Sequence, residues 1–245
     1  MKRLLSIAAV AALGTAAAAP SPASAATATA ALDVNSAYVW RGLTFNDGFV
    51  LQPSMDVSAN GFAFNVWGNL DLDDYNDTLD DGEFSEVDLT ASYAFKLGAV
   101  DVSLGVIEYL FPNGAESTSE IFAGLGYDLG HGFALSTKVY YDFDQVDDFY
   151  LTAGLGYSYS INDKTTVGLS GLISYAGEDF TEFYAGGTDS GFFNYLLTAS
   201  VKYMVTDAFG LGASINYTDS MDDDALPDET VDTTVFGGVS LTYTF

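Results

Sequence analysis

The sequence predicts an all-β chain, folded as a transmembrane antiparallel up-and-down β-barrel of about twelve strands. Three observations carry this. Period-two alternation of apolar and small polar residues runs through nearly the whole chain after residue 25. No apolar run of about 18 residues follows residue 25, so any membrane crossing has to be made by strands. Tight turns alternate with longer, mostly acidic loops, the plan of barrels with short turns on one membrane face and long loops on the other.

Residues 1–25 read as a secretory leader. Lys2 and Arg3 form a positive start, Leu4 to Ala19 is apolar, and Ala23-Ser24-Ala25 offers the small residues of a cleavage site. Cleavage is expected after Ala25. Pro20 and Pro22 argue against an uncleaved helical anchor. The barrel is then one domain, residues 26–245.

The alternation defines each element in turn. In 84–97, Val87, Leu89, Ala91, Tyr93 and Phe95 share one face, and Glu86, Asp88, Thr90 and Ser92 the other. In 149–161, Leu151, Ala153, Leu155, Tyr157 and Tyr159 oppose Thr152, Gly154, Gly156, Ser158 and Ser160. The same pattern places strands near 32–45, 49–59, 62–72, 84–97, 100–111, 119–128, 133–143, 149–161, 165–175, 192–205, 209–218 and 231–245. Most have the length that a tilted strand needs to cross a bilayer.

Asn60-Gly61, Leu97-Gly98-Ala99, Leu129 to Gly132, Asn162-Asp163-Lys164 and Thr206-Asp207-Ala208 read as tight turns. Between them lie longer loops at 73–83, 112–118, 144–148, 176–191 and 219–230. The connection at 46–48 is an exception, being short on the long-loop side. An even strand count puts both termini on the short-turn, periplasmic side.

Aromatic residues cluster near strand ends. Phe62, Phe64, Tyr93, Phe95, Tyr127, Phe133, Tyr157, Tyr159, Tyr203, Phe209, Tyr243 and Phe245 are expected at the periplasmic rim. Trp40, Phe49, Tyr141, Phe143, Phe149, Tyr175, Phe193, Tyr195 and Tyr217 are expected at the outer rim. Two amphipathic girdles suit a lipid-facing wall. A water-soluble β-sandwich would share the alternation, but would not require girdles or a Gly/Ser/Thr-rich opposite face.

Charge narrows the function. The chain carries 7 basic and 34 acidic residues, and without the leader 5 basic residues remain against the same 34. Nucleic acid is an unsuitable partner for such a surface, because phosphate binding needs clustered Lys and Arg. There is no cysteine, which removes thiol chemistry and cysteine metal sites. The single histidine, His131, sits in a predicted periplasmic turn. A Ser-His or Asp-His site at the outer rim therefore has no histidine, and an enzyme is not expected.

The inward face is expected to carry Asp33, Asp56, Asp71, Glu86, Asp88, Asp101, Glu120 and Asp142, set against Arg41, Lys96, Lys138 and Lys202. Carboxylate rings favour cations. The pore-lining candidates are Arg41, Asp56, Trp67, Asp71, Glu86, Asp88, Glu120, Lys138 and Asp142. Trp67, Tyr140 and Phe192 would narrow the lumen. Arg41 suits either a selectivity charge or a neutraliser of interior carboxylates, the second being the simpler role. No cofactor is expected beyond loosely held Ca²⁺ or Mg²⁺, with Asp73, Asp74, Asp77, Asp222, Asp223 and Asp224 as candidate ligands. The acidic run from Asp71 to Glu83 fails the EF-hand spacing.

The final Leu241-Thr242-Tyr243-Thr244-Phe245 resembles the C-terminal signal of outer-membrane barrels. The run Val34-Asn35-Ser36-Ala37-Tyr38-Val39-Trp40-Arg41-Gly42-Leu43-Thr44 resembles the opening of the TorF-like family, proteobacterial proteins of about this length classed as porins on their fold. Phe64 to Asp71 and Ile107 to Pro112 resemble that family's third and fifth strands. The resemblance implies an outer-membrane barrel of a Gram-negative bacterium, in contact with lipid and lipopolysaccharide. It says little about activity. The leading reading is a passive, cation-preferring diffusion barrel for small solutes. The alternative is a non-conducting surface barrel whose acidic outer loops bind divalent cations.

Overall fold

The computed structural model describes residues 26–73 and 82–245. The expected leader and the candidate ligands Asp74 and Asp77 lie outside these. In chain order the elements are β1 (Thr27–Asn35), β2 (Tyr38–Trp40), β3 (Leu43–Asn46), β4 (Val50–Ala59), β5 (Phe62–Asp71), β6 (Phe84–Leu97) and β7 (Val100–Leu110). There follow β8 (Thr118–Gly130), β9 (Phe133–Asp142), β10 (Asp148–Ser160), β11 (Thr165–Ala176), helix α1 (Glu178–Ala185), β12 (Gly191–Met204), β13 (Phe209–Ser220) and β14 (Val235–Thr244). Twelve of the strands close into one antiparallel barrel, each beside its sequence neighbour, with β1 joining β14 on one side and β4 on the other. β2 and β3 form a separate two-stranded sheet.

The outer wall carries a broad apolar band. Leu155, Leu169, Leu197, Ile215 and Val239 are between 47% and 60% exposed. A water-soluble protein does not leave such a band uncovered. A closed barrel with this wall is a transmembrane barrel, because closure satisfies every ladder hydrogen bond within lipid. The rim aromatics follow: Phe62, Phe64, Tyr127, Tyr203, Tyr243 and Phe245 are exposed at the short-turn end, and Phe49, Tyr141, Phe143 and Tyr217 at the other.

Local chemistry sets the short turns. Asn60 (φ 51°) and Gly61 (φ 87°) both take positive φ, as a tight two-residue hairpin between right-twisted strands requires. His131 (φ 55°) and Gly132 (φ 88°) repeat this, placing His131 exposed at the turn. Asn162 accepts the Lys164 and Thr165 amides, and Thr206 accepts those of Ala208 and Phe209. Both ends of the described barrel, Thr27 and Thr244, lie at this end.

Two expectations are corrected. The first strand is not 32–45. The chain leaves the barrel wall after Asn35, which pairs with Val50, and residues 36–49 between them form an excursion containing the β2–β3 hairpin. The supposed short connection at 46–48 is the last part of a long loop. The cause is visible in the parity: Tyr38 and Trp40 share one parity, Leu43 and Phe45 the other, and Arg41-Gly42 is the turn between them. Trp40 is therefore inside the barrel rather than in the outer girdle.

The second correction concerns Phe192 and Phe193. The β11–β12 register slips between Ile173 and Tyr175, which leaves one extra residue on β12. Phe192 is thereby turned outward, 51% exposed against Tyr175, and Phe193 is fully buried. Their expected sides are exchanged.

Candidate functional site

The long-loop half of the lumen is filled, and the filling is a small core of its own. Leu43 of the hairpin, Val146, Tyr150, Ala176, Phe180 and Ala185 of α1, Phe193, Ala225, Leu226 and Val231 pack together, with Trp40, Phe45, Tyr140 and Tyr184 against them. Four loops contribute: the hairpin, the 143–147 loop, the α1 segment and the 221–234 connection.

The hairpin crosses the lumen from wall to wall. At its root, the Tyr38 hydroxyl donates to Glu86 on β6 (2.7 Å), and the ring lies 5.7 Å from Trp67 on β5. On the return strand, Asn46 donates to Asp71 on β5 (2.7 Å), and Thr44 accepts the Thr233 amide (2.9 Å). Burial first, and then the negative charges of Glu86 and Asp88, hold the Tyr38 phenol well above its usual pKa. It therefore stays a neutral donor. At the tip, Gly42 (φ 90°) is pressed against the far wall: a Cβ there would stand 2.9 Å from Asn194 Cβ on β12. Glycine is required at that position by space and by conformation alike.

Arg41 is the centre of the plug. Its guanidinium donates both arms to Glu120 on β8, at 2.7 and 2.6 Å. The Tyr109 hydroxyl of β7 donates to the same carboxylate at 2.8 Å. Four rings surround the guanidinium carbon: Trp40 at 4.3 Å, Tyr140 at 4.4 Å, Tyr150 at 4.5 Å and Phe180 at 5.5 Å. Burial pulls the Arg41 pKa down, but the adjacent Glu120 charge outweighs it, so the group is more firmly protonated than a free arginine. The paired fork geometry is the arrangement in which arginine differs most from lysine.

Helix α1 closes over this box. Asp148 accepts the Phe180 amide (3.0 Å), satisfying a helix-start donor and placing an acid at the positive end of the helix dipole. Gly177 is needed there, since a Cβ would overlap the Asp148 carboxylate. Gly186 (φ 67°) ends the helix in the left-handed conformation. Phe180 stacks on Trp40 and Tyr150, and the Tyr184 hydroxyl donates to Asp142 (3.2 Å).

The other sequence candidates fall on the inward face as follows. Glu86 and Asp88 are neighbours on β6, with Trp67 beside Asp88 in register. Asp71 accepts from Asn46 and Asn69, and its second oxygen is buried without a partner, as is one oxygen of Asp88. Lys138 stands over Phe122 (3.7 Å) and shares the Tyr140 ring with Arg41. Asp142 accepts from Thr118, Tyr184 and the amides of residues 144–146, so it organises the 143–147 loop. Asp56, half-buried, lies toward the short-turn end opposite Asn65. The structure thus joins Arg41 to Glu120 and gathers Asp71, Glu86 and Asp88 around the hairpin root, while Asp56 stays apart from both.

The proposed divalent ligands are not brought together. Asp222 and Asp223 accept backbone amides of their own loop, and the Asp224 carbonyl accepts the Thr188 amide. Among the described residues, no three acidic or histidine side chains converge as a metal site would require. Asp73 lies beside the hairpin, its carbonyl accepting from Asn46 (3.2 Å).

Inward residues of the short-turn half are small and partly accessible: Ser54, Ser136, Ser158, Ser170, Ser200, Ser214 and Ser240 are none of them buried. Below the plug the lumen is therefore polar and water-accessible, with Lys202 and the exposed Lys96–Asp101 ion pair toward the end.

The fold matches solved outer-membrane channels. An outer-membrane channel from Pseudomonas putida F1 aligns with a TM-score of 0.57 at 11% identity, covering 95% of this chain and 98% of that one. The KdgM porin, solved in complex with disordered oligogalacturonate, aligns at 0.55 with 9% identity, covering 89% and 99%. The NanC porin aligns at 0.54 with 15% identity, covering 86% and 98%. At these identities the likeness is one of fold, and the fold is that of a porin-like barrel. No curated protein matches the sequence. The resemblance to the TorF-like family rests on the segments quoted above and is not what the family match shows. The family model described as "Bacterial protein of unknown function (Gcw_chp)" matches residues 18–238, and the chain belongs to that family.

Proposed function

We propose that the protein is a narrow, selective passage for small solutes across the outer membrane of a Gram-negative bacterium, with a preference for cations. It would be exported by a leader cleaved after Ala25, with its short turns and termini in the periplasm and its long loops facing lipopolysaccharide.

The observation that carries this reading is the charge of the inward face. Among the described residues, eight carboxylates face the lumen or its plug, against Arg41, Lys96, Lys138 and Lys202. Pairing consumes Arg41 with Glu120 and Lys96 with Asp101. Six carboxylates remain, opposed by Lys138 and Lys202. Such a field concentrates cations and repels anions. Passage needs no covalent chemistry, and the exposed turn position of His131 offers none.

A second reading is favoured by the plug itself: a non-conducting barrel whose outer surface meets divalent cations or lipopolysaccharide. Selectivity measurements on E86Q/D88N separate the two. In a conducting barrel this variant lowers the cation-to-anion permeability ratio in a salt gradient. An unchanged ratio counts against the acidic-passage reading.

A further inference from the structure

We propose that the wall pocket formed by Tyr109, Glu120, Tyr140 and Tyr150 is a recognition site for guanidinium-bearing solutes, which Arg41 occupies as a tethered occupant. The proposal deepens the passage reading by naming a solute class, and rests on it for the role of the site in transport.

Three features support it. The wall is fitted to the planar cation: a carboxylate that accepts both arms of the fork, and the Tyr140 and Tyr150 rings at 4.4 and 4.5 Å from its carbon. A point charge such as ammonium does not use the paired acceptors in that way. Neutralising Glu120 needs the ion pair alone, and the rings go beyond it. Next, Tyr109, Glu120, Tyr140 and Tyr150 sit on β7, β8, β9 and β10, four consecutive strands of the closed barrel. The carboxylate, the Tyr109 hydroxyl and two of the four rings, Tyr140 and Tyr150, are therefore built into the wall and stay there without the hairpin. The occupant, in contrast, comes from a two-stranded sheet that shares no ladder with the barrel. It can leave without opening the wall.

The exchange is non-covalent. A solute guanidinium takes the two Glu120 oxygens and the faces of Tyr140 and Tyr150, while Arg41 goes to water with the hairpin.

The test is chemical rescue in R41A, refolded in detergent and titrated with methylguanidinium chloride at millimolar concentration. The expected result is a saturable rise in Tm of about 3–6 °C at about ten times the dissociation constant. Equal concentrations of KCl or urea should not reproduce it, and R41A/E120Q should lose it. Absence of a saturable rise in folded R41A, or an equal rise in R41A/E120Q, overturns the proposal. If R41A does not refold, W67F gives the answer in the barrel with its own Arg41, because Trp40 is then the sole tryptophan. Displacement of the hairpin moves Trp40 from its aromatic stack into water, with a saturable red shift of its emission. Constant emission overturns the proposal. Neither readout uses a current. A barrel that binds but does not conduct keeps the site and loses the passage; one that conducts without binding loses the site alone.

Discussion

Replacing Arg41 by methionine should destabilise the barrel far more than a surface change, and most of the loss should vanish when Glu120 is also neutralised. Glu120 is 1% exposed, and its oxygens accept both arms of Arg41 and the Tyr109 hydroxyl. R41M leaves that carboxylate buried with Tyr109 as its neutral neighbour. Breaking one side of a buried pair costs about 3–5 kcal/mol. Loss of the cation–ring contacts adds about 0.5–2 kcal/mol, part of which the methionine sulfur recovers. For a chain of this size the unpaired charge corresponds to a Tm drop of about 6–20 °C. E120Q strands the guanidinium instead, softened by the surrounding rings. R41M/E120Q buries two neutral side chains of similar volume and should lose less than either single variant. The assay is thermal unfolding of the refolded barrels in micelles, followed by circular dichroism. Effects of the two substitutions that add within about 0.5 kcal/mol would refute the reasoning, because independent sites add in that way.

Two further outcomes follow from the fold. G42A combines a positive φ with a Cβ 2.9 Å from Asn194, and should undock the hairpin at a cost of about 1–2 kcal/mol, read as faster protease cleavage between residues 36 and 49 while the barrel stays intact. I215R places a charge on the lipid face, where Ile215 is 57% exposed, and should cost about 2–4 kcal/mol if that position lies near the bilayer midplane, measured by denaturant unfolding in lipid vesicles. An effect below about 0.5 kcal/mol would mean that the wall does not face lipid.

Most of the barrel was legible because one signal recurs in it. Eleven of the twelve barrel strands lie within a few residues of where the alternation put them, from β4 at Val50–Ala59 to β14 at Val235–Thr244. The girdles were legible for the same reason, since side-chain parity fixes the face. The failures occur where parity breaks. Arg41-Gly42 inverts the apolar parity between Trp40 and Leu43, and that inversion marks a turn when it is read as a signal. The β11–β12 bulge gave less warning: Phe192 and Phe193 are adjacent apolar residues, and the sequence does not say which one a bulge turns inward. Helix α1 was missed: 176–191 was read as a loop, although Glu178 and Asp179 stand at the helix start and Gly186 at its end.

Of the site, the sequence supplied the charges but not their pairing. Arg41 and Glu120 are separated by 79 positions, and only closure of the barrel brings β8 opposite the first loop. The ring box was not foreseen. Tyr109, Tyr150 and Phe180 have no shared motif, and Trp40 was assigned to lipid. Its components come from the hairpin, three strands and a helix, so the pocket exists only in three dimensions.

The proposed acidic passage, with its outer half occupied by the hairpin, is open to a direct test. Because Asn35 pairs with Val50, residues 36–49 can be replaced by Asn-Gly without disturbing the β1–β4 register. The decisive measurement is the single-channel conductance and reversal potential of this variant and of the intact barrel, side by side in a planar bilayer under a KCl gradient. The account predicts a small or intermittent cation-selective current from the intact barrel and a several-fold larger cation-selective one from the variant. Silence from both folded barrels, or an anion-selective reversal potential, would contradict it.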